Sequence, residues 1–79
     1  MARPPLAALQ AFVLAAQQRN LSRAALQLNL TVSALSHQIR ALEQRLQQTL
    51  FVRGPRGVTL TDDGSRLLDA IESPLAAIE

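Results

Sequence analysis

Apolar residues recur along this chain at three- and four-residue steps in four blocks, interrupted once by a stretch with a different rhythm. In the first block Leu6, Leu9, Phe12, Val13 and Ala16 follow Pro4 and Pro5, a spacing that predicts an amphipathic helix begun near the prolines. The pattern restarts at Asn20, a residue type suited to capping a helix. It then sets Leu21, Ala24, Ala25 and Leu28 on one side of a short second helix, which Asn29 and Leu30 break. Thr31 is the next cap, and Leu35, Ile39, Leu42 and Leu46 follow within ~40° of Leu35 at about 100° per residue, the strongest helical pattern in the chain. The rhythm changes in "TLFVRGPRGVTLT", where β-branched and aromatic residues flank Gly54, Pro55, Arg56 and Gly57. This predicts two short strands, about 50–53 and 57–60, joined by a tight turn. Thr61 with Asp62 and Asp63 behind it marks the start of a fourth helix, since carboxylates favour the positive end of the helix dipole. Its apolar stripe is Leu67, Leu68, Ile71, Leu75 and Ile78, and Pro74 either kinks it or opens a new turn.

This order of elements predicts a mainly α fold, a winged helix-turn-helix of three helices plus a two-stranded wing, followed by a C-terminal helix. The wing domain is expected over residues 1–60 and a linker or dimerisation helix over 61–79. In a helix-turn-helix the first two helices grip one side of the third and leave the other free. That free side reads Ser33, His37, Arg40 and Gln44, which fall roughly 140° to 200° from Leu35. Short donors and acceptors with one Arg suit a DNA major groove about 12 Å wide, and a hairpin bearing Arg53 and Arg56 lies beside them as a wing.

Charge sharpens this picture through its distribution. The net charge of the 79 residues is only +2, but residues 1–60 carry seven Arg against the single acid Glu43, whereas residues 61–79 carry Arg66 against five acids. All eight basic residues are Arg, whose planar fork matches phosphate and guanine edges. A basic body with an acidic tail points to a polyanion partner. With no Cys there is neither a disulfide framework nor a thiolate metal site, and a reducing, cytoplasmic setting fits. The first ten residues do not resemble a secretory signal and no stretch approaches a membrane span, so the sequons at Asn20 and Asn29 read as helix-boundary residues.

Other chemistries fit the residues less well. His37 has no His, Cys or acid at metal spacing, so no metal or other cofactor is expected. Ser36 and His37 with Asp62 or Asp63 form no hydrolase triad in a chain too short for a substrate pocket, and catalysis is not expected. "GPRG" lacks the Gly-Lys-Ser/Thr ending of a phosphate loop. Glu43 and Arg45 read as a solvated edge. The rival functional class is a protein-interaction module on the same scaffold, which fold alone does not separate from a DNA binder.

The run from Asn20 to Gly64, with "RAALQLNLTVSALSHQIRALEQRL" and "LFVRGPRGVTLTDDG", together with Leu6, Leu9 and Phe12, resembles the N-terminal domain of LysR-type bacterial transcriptional regulators. The resemblance implies sequence-specific binding of double-stranded DNA, with helix 31–46 in the major groove and the wing 51–60 on the backbone or minor groove. On this reading Val32, Ser33, Ser36 and His37 address base edges, while Ser22, Arg23, Thr31, Arg40, Arg53 and Arg56 address the backbone, Arg56 being the candidate for the minor groove. The resemblance further implies a homodimer through Leu67, Leu68, Ile71, Leu75 and Ile78, and an effector-binding domain beyond this segment in full-length members. Three positions depart from the family pattern. Val32 replaces a Gln, exchanging an amide contact for an apolar one with a thymine methyl; Gln47 stands where a Gly usually ends the third helix; and Arg19-Asn20 replaces Gly-Ser.

Overall fold

The computed structural model describes residues 6–55 and 57–72. Its elements are α1 (Leu6–Gln18), α2 (Leu21–Gln27), α3 (Val32–Leu46), β1 (Phe51–Gly54), β2 (Gly57–Leu60) and α4 (Asp62–Glu72). Expectations that rested on Pro4, Pro5, Arg56, Pro74, Leu75 and Ile78 lie outside the described residues.

The caps explain where the helices begin. Asn20 accepts the Arg23 amide at 3.0 Å, Thr31 the Ala34 amide at 3.0 Å, and Thr61 the Gly64 amide at 3.0 Å, so each predicted cap satisfies one of the amides a helix start leaves unpaired. The helix ends share a different device. Arg19, Asn29 and Gln47 all adopt left-handed backbone, with φ of 55°, 57° and 55°. Beyond α3, the Gln47 amide donates to the Gln44 carbonyl and the Gln48 amide to that of Glu43. Beyond α2, Asn29 and Leu30 donate likewise to Leu26 and Ala25. Both are Schellman closures, and neither has the glycine that would adopt this backbone without a Cβ penalty. The expected stop of α3 at Gln47 is borne out.

The periodic positions of α3 form the core, but on α1 the inward face is Ala8, Ala11, Phe12 and Ala15, which corrects the expected stripe: Leu9, Val13 and Ala16 are only partly buried at its edge and Leu6 is 69% exposed. Phe12, Leu35, Ile39, Leu42 and Leu50 are fully buried, and α1 packs on both α2 and α3. Phe51 closes the core from the wing, its ring centroid 5.3 Å from that of Phe12 at a tilt of 51°. The wing is an antiparallel pair with Phe51 opposite Leu60 and Arg53 opposite Val58.

Main-chain contacts fix the wing against the helices. The Val58 amide donates to the Arg19 carbonyl at 3.3 Å, and a Cβ built on Gly57 would lie 2.3 Å from that same oxygen. With φ of 120°, Gly57 therefore answers both a backbone and a space requirement. On the other side, the Leu50 and Phe51 amides donate to Glu43 Oε2 at 2.8 and 3.2 Å. This corrects the reading of Glu43 as a solvated edge: its carboxylate holds the chain as it turns from α3 into β1.

Candidate nucleic-acid interface

The exposed side of α3 follows from the burial of its other side. Leu35, Ile39 and Leu42 point into the core, and Ser33, His37, Arg40 and Gln44 are all exposed along the opposite face. Val32, at the first turn of the helix, is 43% exposed. Thr31 is exposed beside it; its hydroxyl oxygen caps the helix, and the hydroxyl hydrogen remains available as a donor.

The second helix and the wing approach each other next to this face. Ser22 and Arg23 are exposed on the first turn of α2, and Ser22 lines one recess together with Asn20, Arg53, Gly54 and Val58. Residues of α2 and of the wing thus share one surface beside α3. His37 borders a separate recess between α3 and the start of α1, with Ala7, Ala8, Ala41 and Gln44.

Ser36 is placed differently from the expectation. It is only 8% exposed, and its Oγ accepts a hydrogen bond from Arg53 Nη1 at 2.9 Å. The hydroxyl is turned toward the wing instead of lying on the solvent face with Ser33 and His37. The two residues were each singled out in the sequence, but their pairing across 17 positions was not read there. The signal was available in the strand alternation: Arg53 lies two residues from the buried Phe51, so both leave the strand on the side facing the helices, while Val52 between them is exposed.

The apolar stripe of α4 divides. Leu67 and Leu68 are half-buried against the domain's own core, which narrows the surface expected for a partner. Ile71 is 39% exposed and borders a groove with Leu6, Leu9, Val13, Leu14 and Leu28, and Gln17 Nε2 donates to Glu72 Oε2 at 2.8 Å across the two helices. Asp63 is paired with Arg66 at 2.6 Å within the first turns of α4. No described helix is long and apolar enough to cross a membrane.

Comparison with known proteins agrees with this geometry. Residues 6–65 match the model of the bacterial regulatory helix-turn-helix proteins of the lysR family. The HTH-type transcriptional activator AmpR of Providencia stuartii is 46% identical over 84 aligned positions, covering 98% of this chain and 29% of that protein. Among solved structures, oxidized OxyR of Corynebacterium glutamicum superposes with a TM-score of 0.85 at 36% identity, over 98% of this chain and 25% of the other. The BenM DBD in its complex with benA site 1 DNA superposes with a TM-score of 0.82 at 30% identity, over 94% of this chain and 86% of the other.

Proposed function

Since the chain belongs to the lysR family of bacterial regulatory helix-turn-helix proteins, we propose that it is the double-stranded-DNA-binding part of a transcriptional regulator, with α3 entering the major groove. The observation that carries this reading is the exposed row Ser33, His37, Arg40 and Gln44 set opposite the buried Leu35, Ile39 and Leu42, with Arg53 of the wing beside it. Val32, Ser33 and His37 are assigned to base edges. Ser22, Arg23, Thr31, Arg40 and Arg53 are assigned to the sugar-phosphate backbone, because all five are exposed and carry the hydroxyl or guanidinium donors that phosphate oxygens accept from. Arg56, outside the described residues, keeps its assignment to the minor groove.

The unit that binds is proposed to be a two-fold dimer. Its support is the apolar groove between α1 and α4 that ends at the exposed Ile71, together with the general rule that paired recognition helices read half-sites about one DNA turn apart or a multiple of it. The chain spans 29% of the length of the AmpR relative, so the effector response belongs to the whole regulator.

Selection from a random duplex library with the wild-type chain and with His37→Ala tests the assignment. The expected result is a defined preferred sequence that changes in the variant. An identical preference for both proteins would refute the role of His37, and recovery of no duplex at all would favour a protein-interaction module.

A further inference from the structure

We infer that Ser36 is a positioning residue: it holds the Arg53 guanidinium in place for a DNA phosphate and does not itself read a base. The inference rests on the reading that this chain binds duplex DNA. Its own observation is the hydrogen bond from Arg53 Nη1 to Ser36 Oγ at 2.9 Å, made between a serine only 8% exposed and an exposed arginine. An exposed Arg ordinarily samples many rotamers, and binding a phosphate freezes them at a cost in affinity. Here one N–H of the fork is already tied to α3, and the remaining donors stay free for an anion.

The anchor is well placed for that task. Ser36 lies between Leu35 and His37 on α3, so its position is fixed by the same core packing that orients the recognition face. Arg53 comes from β1, whose first amide, that of Phe51, is held to α3 by the Glu43 carboxylate, and the paired strand β2 is tied through the Val58 amide to the Arg19 carbonyl just beyond α1. Arg53 also lines the recess that Ser22 lines. One phosphate contact of the wing is thereby held in register with the base-reading side chains of α3, although the two elements are joined by a turn.

The test combines the free protein with a double-mutant cycle. In the free protein, the ¹H–¹⁵N heteronuclear NOE of Arg53 Nε is expected to fall in Ser36→Ala, because the side chain is released. With a labelled duplex of mixed sequence at low salt, Ser36→Ala is expected to bind about three- to tenfold more weakly than wild type, the range that ordering one long side chain predicts. In an Arg53→Ala background the Ser36 substitution should cause no further loss. Its denaturation midpoint is measured alongside, since a purely structural role would lower that midpoint without coupling to Arg53. Losses that multiply in the double variant, or an Arg53 Nε as ordered in Ser36→Ala as in wild type, would overturn the inference. Wild-type protein that fails to bind the duplex would defeat the functional reading and this inference with it, whereas normal wild-type binding with multiplied losses would defeat the inference alone.

Discussion

Replacing Glu43 by Ala removes a single carboxylate oxygen that accepts two main-chain amides, those of Leu50 and Phe51, at 2.8 and 3.2 Å. Both residues are buried, Leu50 completely, so the chain has little freedom to turn these amides toward water without withdrawing the side chains from the core. A hydrogen bond to a charged acceptor contributes about 1.5 to 3 kcal/mol, and partial access of water to this edge reduces what the pair loses. The greater helix propensity of Ala at an α3 position returns a few tenths. The net expectation is a loss of about 2 to 3 kcal/mol, a large share of the roughly 4 to 12 kcal/mol available to a domain of this size. Glu43→Gln retains an accepting oxygen without the charge and should lose only about 1 kcal/mol. Urea denaturation followed by circular dichroism gives both values from the midpoint and slope, and hydrogen exchange at the Leu50 and Phe51 amides should accelerate in the same order. A Glu43→Ala protein within about 0.5 kcal/mol of wild type, the range of an ordinary surface substitution, would show that this carboxylate does not hold the two amides.

Three further outcomes follow from the same structure. Gln47→Gly relieves a left-handed residue at φ 55° and should stabilise the domain by several tenths to ~1 kcal/mol in the same denaturation assay; a destabilised variant would contradict the closure described for α3. Gly64→Ala gains about 1 kcal/mol in an unobstructed helix, but here the new Cβ would lie 2.2 Å from the Leu50 carbonyl oxygen, so a net loss of about 1 to 3 kcal/mol is expected, and a raised melting temperature would contradict that close approach. Ile71→Asp places a charge in the groove between α1 and α4 and should weaken self-association in sedimentation equilibrium, whereas a wild-type chain that is monomeric at high concentration would refute the proposed dimer.

The sequence made the helices legible because their apolar stripes are regular and their caps are the residue types that cap best: Asn20, Thr31 and Thr61 each do what their position predicted. The exposed row on α3 followed from geometry alone, since helical periodicity fixes what lies opposite Leu35 and Ile39. What stayed hidden depends on tertiary approach. Glu43 looked like a surface acid because nothing in a helical pattern says that the chain returns across that helix end and brings two amides to it. Ser36 looked like a groove residue because its neighbours Ser33 and His37 are; only the position of β1 shows that Arg53 occupies its hydroxyl. Leu67 and Leu68 looked free for a partner because apolar count does not reveal which side of a helix the domain itself covers. At Arg19 and Gln47 the departures from the family's glycine were visible, and the left-handed φ at each shows that the chain keeps the turn while bearing the Cβ penalty.

The most direct test of the central claim is fluorescence-anisotropy titration of a labelled duplex with this chain at several salt concentrations. Arg23, Arg40 and Arg53 are the described cations assigned to phosphates, so binding is expected at low salt, with log K falling linearly against log salt at a slope of about −2 to −3 per subunit. Arg53→Ala should make that slope shallower by about one. No binding at low salt, or an affinity indifferent to salt, would contradict it.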